Sequence, residues 1–276
     1  MKRTICLAVV VTMLLVLGAA QVAAGEPENK VIRCSTTTSV NDTGLLPFLQ
    51  PDFEALTGYE LIVVSNGSGA AIKLGESGDA DVLLVHSKAA EEEFVLNGYG
   101  LSRISFMYNY FVIIGPASDP AGIAACEDAA GAFAAIADSK SLFVSRGDES
   151  GTHTAEKRVW TATGLEPGRQ DDWYISAGAG MGASLNQANE REAYILSDKA
   201  TFLSMQDNLD LVILLERGED MKNVYSLIAC NPEKNPGLNA IGAQAFIDYM
   251  TGEATLEKIA AFGKDTYGQA LFYAGQ

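Results

Sequence analysis

The chain has 276 residues, of which 48% are hydrophobic and 20% are charged, a composition that excludes an intrinsically disordered protein. Its formal net charge of −16 at pH 7 disfavours binding to nucleic acids or acidic membrane surfaces, because both require a basic protein surface. The length is sufficient for one large domain or for two domains of ordinary size.

The first 24 residues have the pattern of a secretory signal peptide. Lys2 and Arg3 precede an apolar run over residues 5–17, and small residues follow as far as Ala24. An uncleaved N-terminal anchor is the alternative, since the apolar segment is almost long enough to span a bilayer. We expect cleavage after residue 24 and a periplasmic location. Removing residues 1–24 removes two basic residues and no acidic ones, which changes the net charge to −18.

The rest of the chain alternates between strand patterns and helix patterns. The strand-like runs are short and apolar, as expected for strands covered on both faces. They cover residues 31–35, 60–65, 81–85, 108–115, 142–145, 173–176, 193–196, 211–215 and 224–230. The helical patterns cover residues 44–56, 69–75, 87–96, 123–137, 150–163, 182–191, 198–205, 238–249 and 254–262. This alternation predicts an α/β protein with mostly parallel sheets flanked by helices.

Two extended runs, 108–116 and 224–232, each end at a proline and bracket a block of the chain between them. If both runs are crossings, the chain enters a second unit and then returns to the first. This predicts two lobes joined by two hinge strands. Lobe I would comprise residues 25–114 and 231–276, and lobe II residues 115–230.

Three cysteines lie beyond the predicted signal peptide: Cys34, Cys126 and Cys230. An oxidising compartment permits one disulfide with one thiol left over. Cys34 belongs to an apolar strand-like run and is predicted to be a buried thiol. Cys126 and Cys230 form the remaining pair, although the sequence gives no distance between them.

Four strand-to-helix turns are rich in hydroxyl groups and glycine. They lie where open α/β sheets place their ligands, at the carboxyl ends of strands. Free N–H groups at a helix N-terminus, the close approach that glycine allows and Ser or Thr hydroxyls together suit an anion. The same residue types also cap ordinary helices, so one such turn is weak evidence. The four turns comprise residues 36–39, 65–69, 145–153 and 176–182.

Other kinds of site find little support. Two histidines and scattered cysteines do not form a transition-metal site, and neither a phosphate-binding nucleotide loop nor a dinucleotide fingerprint is present. We therefore expect neither a metal nor a cofactor. Ser150 superficially suggests a hydrolase nucleophile, but His153 follows it on the same helix, which is a poor arrangement for a triad.

At these turns the sequence resembles the tungstate-binding proteins of bacterial ABC uptake systems, whose wider group includes molybdate and sulfate binders. The resemblance spans essentially the whole mature chain. The matching segments are Thr-Thr-Thr-Ser at 36–39, Ser-Asn-Gly-Ser-Gly at 65–69, Arg-Gly-Asp-Glu-Ser-Gly-Thr-His at 146–153 and Tyr-Ser-Leu-Ile at 225–228.

The resemblance implies a two-lobed periplasmic binding protein of type II, not an enzyme, that closes on a dianion and delivers it to a membrane permease. A monomer is expected. Carried over position by position, the resemblance implies that the ligand contacts are Thr37, Thr38, Ser39, Ser68, Arg146 and Thr152.

The chemistry of the ligand leaves its identity open. Tungstate, molybdate and sulfate only accept hydrogen bonds, so their ideal site contains donors alone. Phosphate at neutral pH still carries a proton and requires an acceptor, which Asp148 or Glu149 could supply. The alternatives to tungstate are therefore molybdate, sulfate or phosphate in the same architecture, and an exported hydrolase that uses Ser150.

Overall fold

The computed structural model describes residues 29–168, 170–216, 218 and 221–275. The predicted signal peptide, residues 1–24, lies outside the described residues. Within the described part of the chain, no helix combines the length and the apolar character needed to cross a membrane.

The structure confirms the alternation of strands and helices. The strands are β1 Val31–Thr37, β2 Glu60–Asn66, β3 Val82–Val85, β4 Gly100–Pro116, β5 Phe143–Ser145, β6 Tyr174–Ser176, β7 Tyr194–Asp198, β8 Leu211–Leu215, β9 Lys222–Cys230 and β10 Tyr273–Ala274. The helices are α1 Thr38–Asn41, α2 Leu45–Thr57, α3 Ser68–Ser77, α4 Lys88–Leu96, α5 Ala129–Ser139, α6 Gly151–Thr163, α7 Met181–Glu190, α8 Lys199–Met205, α9 Ala240–Thr251, α10 Glu253–Ala261 and α11 Lys264–Tyr267. The very short elements α1, α11 and β10 were not predicted.

One predicted helix, 123–137, is divided in two. A single 3₁₀ turn covers Ile123–Ala125, and α5 begins only after Asp128. The Asp128 carboxylate accepts a hydrogen bond from the N–H of Gly131 at 2.7 Å. This side-chain cap satisfies a first-turn donor and starts the helix at that residue.

The strands form one mixed sheet in the order β2-β1-β3-β9-β4-β7-β5-β6. Each end of the sheet is parallel: β1 lies between β2 and β3, and β5 lies between β6 and β7. The long strands in the middle pair antiparallel to their neighbours, as β9 does with β3 and β4. The four predicted turns begin at the carboxyl ends of β1, β2, β5 and β6.

Strand β4 belongs to both halves of the sheet. Residues 100–110 pair with β9, whereas residues 111–116 pair with β7 and β8. The chain thus passes from one half of the sheet to the other along a single 17-residue strand.

Helices cover both faces of the sheet, which explains the continuous apolar character of the central strands. In β3, Val82 and Leu84 pack into one hydrophobic cluster, and Leu83 and Val85 pack into another on the opposite face. In the second half, the aromatic ring of Phe133 contacts Trp160, with 4.3 Å between the ring centroids.

Cys126 and Cys230 do not form the disulfide that the cysteine count permits. None of the three cysteines forms a disulfide. Cys230 is buried at the end of β9 beside Phe94, whereas Cys126 packs against a different hydrophobic cluster, in the second half of the sheet. The two side chains belong to separate cores. Cys34 is a buried thiol, as predicted.

Candidate functional site

The structure places the predicted residues where strands end and helices begin. Thr37 is the last residue of β1, and Thr38 and Ser39 open α1. Ser68 is the first residue of α3. The remaining two residues lie in the other half of the sheet: Arg146 directly follows β5, and Thr152 is the second residue of α6.

The two halves meet at these turns. A Cβ atom placed on Gly67 would lie 3.6 Å from Cβ of Ser150, and one on Gly69 would lie 3.5 Å from the carbonyl oxygen of Glu149. The residues on either side of Ser68 therefore contact the turn that follows β5. This contact places Ser68 beside the turn that contains Arg146.

Four of the six predicted residues carry a buried polar atom that has no hydrogen-bond partner. Seven such side-chain atoms occur among the described residues, so more than half of them are at the predicted site. The four are Thr38 Oγ1, Ser68 Oγ, Arg146 Nε and Thr152 Oγ1. A buried donor without a partner costs about 1–3 kcal/mol. A donor set of this kind suits a ligand that only accepts hydrogen bonds.

Arg146 is almost completely buried, with 2% of its side chain exposed. Its Nη2 donates to Asp148 Oδ2 at 2.5 Å, and the other oxygen of Asp148 accepts from the N–H of Ser150 at 3.2 Å. The carboxylate thus holds the guanidinium in place and leaves Nε without a protein partner. Glu149 points away, since its side chain is 74% exposed and pairs with Lys157.

A glycine in the turn allows this geometry. Gly147 has φ of +62°, the left-handed region that favours glycine, and a Cβ atom there would overlap Ser176 Oγ. The fourth hydroxyl-rich turn therefore packs against the arginine turn. It contributes none of the predicted ligand contacts.

His86 is the main member of the site that the sequence analysis did not select. It follows β3, and its Nε2 lies 3.2 Å from Ser39 Oγ. Its Nδ1 lies 2.8 Å from Asn223 Oδ1. Burial lowers the pKa of His86 to about 4, an effect that Asn223 opposes and nearby Arg146 reinforces. The imidazole is therefore neutral at pH 7.

A buried polar network continues beyond His86. Asn223 Nδ2 donates to Asn109 Oδ1 at 2.8 Å and to the hydroxyl of Tyr225 at 2.9 Å. Asn109 Nδ2 in turn lies 3.5 Å from Asp198 Oδ1. Burial raises the pKa of Asp198 to about 6. These residues lie on β4, β7 and β9, so the network connects the two halves of the sheet. The sequence does not predict the network, because an isolated Asn within a strand pattern does not indicate a buried hydrogen bond.

His153 has a different role from His86. Its ring nitrogen Nδ1 accepts a hydrogen bond from the backbone N–H of Glu149 at 3.1 Å. The backbone N–H of His153 donates to Ser150 Oγ at 3.2 Å. Burial lowers its pKa, with a contribution from Lys157. It is a first-turn residue of α6, the helix that Ser150 caps.

Comparison with known proteins identifies the family. A PBP superfamily domain matches residues 22–254. The tungstate-binding protein TupA of Peptoclostridium acidaminophilum is 44% identical over 99% of this chain and 98% of its own length. The chain belongs to this superfamily and to the TupA family within it.

Solved structures of the family agree with the fold. The crystal structure of the tungstate ABC transporter from Geobacter sulfurreducens is similar with a TM-score of 0.78 and 43% identity, covering 84% of this chain and 99% of that one. TupA from Desulfovibrio alaskensis G20 gives a TM-score of 0.75 and 41% identity, covering 89% of this chain and 98% of that one. The chain has the two-lobed, type II architecture of the periplasmic binding proteins, as predicted.

Proposed function

We propose that this TupA-family protein captures tungstate between its two lobes and delivers it to the permease of an ABC transporter. The relatives described above are tungstate-binding proteins and tungstate transporter components. The role is one of binding and transport rather than catalysis. It requires an extracytoplasmic location, for which the predicted signal peptide and the family provide the support.

One observation of the structure carries the proposal. Thr38, Ser68, Arg146 and Thr152 supply four buried polar atoms without protein partners, and these come from both sides of the cleft. Each of the four atoms can donate a hydrogen bond. Tungstate offers acceptor oxygens on all sides and has no hydrogen to donate, so it complements this set.

The same argument disfavours phosphate. A monoprotonated phosphate needs one acceptor in its site, and the nearby carboxylates are already engaged. Asp148 pairs with Arg146, and Glu149 faces solvent beside Lys157. Sulfate and molybdate present the same chemistry as tungstate and differ from it in size, so the dimensions of the closed cleft would select among them.

Competition calorimetry tests the proposal directly. Tungstate, molybdate, sulfate and phosphate are each titrated into the purified mature chain at pH 8, alone and against one another, and we expect tungstate to bind most tightly. Thr152→Val should weaken binding, while Thr161→Val on the exposed face of the same helix serves as the matched control. Failure of all four anions to bind would contradict the proposal.

The hydrolase alternative has no geometric support. Ser150 Oγ accepts the N–H of His153, and His153 Nδ1 accepts the N–H of Glu149. Ser150 therefore caps α6 and does not donate its proton to an imidazole. A Ser150→Ala variant should retain tungstate binding and lose only a helix cap.

The lobe limits and the oligomeric state are also proposals. We propose a monomer. We also propose that β4 and β9 are the two strands that join lobe I, residues 25–114 and 231–276, to lobe II, residues 115–230; β9 pairs with both β3 and β4. Ligand that bridges both lobes favours the closed form. Small-angle scattering should show one protomer whose radius of gyration decreases with tungstate, and an unchanged radius at saturation would contradict a two-lobed clamp.

A further inference from the structure

The hydrogen bonds of the buried network around His86 can be assigned a donor and an acceptor, starting from Asp198 at the end of the network. The carboxylate of Asp198 only accepts hydrogen bonds when ionised. It accepts from the backbone N–H and the hydroxyl of Thr201, at 2.9 and 2.8 Å. The amide nitrogen of Asn109 faces the same carboxylate, so its oxygen faces Asn223 and accepts from it.

The orientation of Asn223 then assigns the proton on His86. Asn223 Nδ2 is used by Asn109 and by the hydroxyl of Tyr225, so Oδ1 is the atom that faces the imidazole. An amide oxygen only accepts, and therefore His86 Nδ1 carries the hydrogen. In a neutral imidazole the other nitrogen, Nε2, is then an acceptor.

The acceptor at Nε2 determines the direction of two hydroxyl groups. Ser39 Oγ lies 3.2 Å from Nε2 and has to donate its single hydrogen to it. Thr37 Oγ1 lies 3.0 Å from Ser39 Oγ, whose hydrogen is already used, so Thr37 is the donor in that contact. Both hydroxyl hydrogens thus point into the network.

We propose that Thr37 and Ser39 are positioning residues whose hydroxyl hydrogens are held by the chain through His86, Asn223 and Asn109 to Asp198, and that the side-chain donors to the anion are Thr38, Ser68, Arg146 and Thr152. This inference rests on the proposed function. It divides the six residues expected from the sequence into two groups. A hydroxyl that turns its lone pairs toward an oxyanion repels it, so Thr37 and Ser39 act by fixing the turn after β1.

The arrangement also connects the anion turn to the rest of the molecule. Ser39 and His86 lie in the first half of the sheet, Asn223 and Asn109 lie on the long central strands, and Asp198 lies at the end of β7. The hydrogen-bond chain runs from one half of the sheet to the other through the strands that join them.

Nitrogen-15 NMR of the imidazole rings tests the direction of the chain. His86 should carry hydrogen on Nδ1 and show an unprotonated, pyridine-like Nε2 at pH 7.5, both without and with tungstate. His153 provides an internal contrast, because its Nδ1 accepts from Glu149 and its hydrogen belongs on Nε2. The chain has only these two histidines, so His153→Gln assigns the signals. Hydrogen on Nε2 of His86 would overturn the inference.

Calorimetry with paired variants tests its consequence for tungstate. Removing a hydroxyl that donates to the anion, as in Thr38→Val or Thr152→Val, should weaken binding more than tenfold, since a hydrogen bond to a charged group contributes about 1.5–3 kcal/mol. Thr37→Val removes a hydrogen bond within the protein and should weaken binding less than Thr38→Val does. A loss in Thr37→Val equal to or larger than that in Thr38→Val would overturn the inference.

The two experiments separate the two proposals. If the wild-type protein fails to bind tungstate, the proposed function is wrong, and with it the assignment of donors to the anion. The tautomer of His86 in the ligand-free protein still tests the hydrogen-bond chain by itself, since it depends on protein groups alone.

Discussion

Closure of the cleft can be tested at Gly151, the first residue of α6. A Cβ atom at this position would lie 2.7 Å from His86 Cε1 and 2.9 Å from His86 Nδ1. The imidazole cannot move aside freely, because hydrogen bonds to Ser39 and Asn223 hold both of its nitrogens. Gly151→Ala therefore introduces an overlap across the cleft whenever the two lobes are closed.

The expected magnitude follows from that overlap. Inserting a methyl group into a packed site costs about 1–3 kcal/mol. The cost applies to the closed form alone, so the dissociation constant for tungstate should rise about five- to 150-fold. In an open form with the lobes apart, the methyl group would not meet His86, and alanine is a better helix former than glycine. The melting temperature of the ligand-free protein should therefore not decrease.

Isothermal titration calorimetry measures the loss, and thermal unfolding without ligand measures the stability. Gly67→Ala is the matched control: it adds a methyl group at the same lobe contact, but at an ordinary distance of 3.6 Å from Ser150 Cβ. We expect its dissociation constant to stay within threefold of the wild type. An unchanged affinity in Gly151→Ala would refute the reasoning that the anion is bound with His86 against α6.

Three further predictions concern charge and pH. Arg146→Ala should weaken tungstate binding about tenfold to more than a hundredfold and Arg146→Lys by an intermediate factor, by calorimetry, because a charge-assisted bond contributes about 1.5–3 kcal/mol; an affinity within threefold of wild type would mean that Arg146 serves only its ion pair with Asp148. Tungstate affinity should change less than threefold between pH 7 and 9, because the pKa of His86 is lowered to about 4 and its ring stays neutral there; a steep dependence would implicate a titrating ligand. Burial raises the pKa of Glu156 to about 7, so the folded state retains a proton that the unfolded state has released, and this contribution to stability, up to about 3 kcal/mol, is lost as the pH rises from about 4.5 to 7. Chemical denaturation at pH 5 and pH 8 should show a smaller decrease in Glu156→Gln than in the wild type, and equal decreases would contradict the assignment.

The elements of the fold could be predicted because periodicity and turn chemistry agree along the chain. The buried run Val82–Val85, for example, indicates a strand that is covered on both faces, and the structure confirms it. The antiparallel pairing of β9 between β3 and β4 was not predictable, because strand order depends on contacts between segments that are distant in sequence.

Part of the candidate site could likewise be predicted from the sequence, and part could not. Hydroxyl-rich turns after strands are visible in the sequence, and the family resemblance selects residues such as Ser68 and Arg146 within them. The network of Asn109, Asn223 and Asp198 is not visible, since each of these residues is isolated in a strand or at a helix start. Cys126 and Cys230 illustrate the same difficulty, because counting cysteines cannot show that they lie in separate cores.

The four unpartnered donors would also make closure of the cleft depend on the anion. Closed without an anion, the cleft would isolate these donors from water at about 1–3 kcal/mol each. Opening restores their hydration, and an oxyanion removes the same penalty while the lobes stay shut. The closed conformation would then be populated mainly when the anion is bound. A permease that recognises this conformation would not start a transport cycle with an empty binding protein.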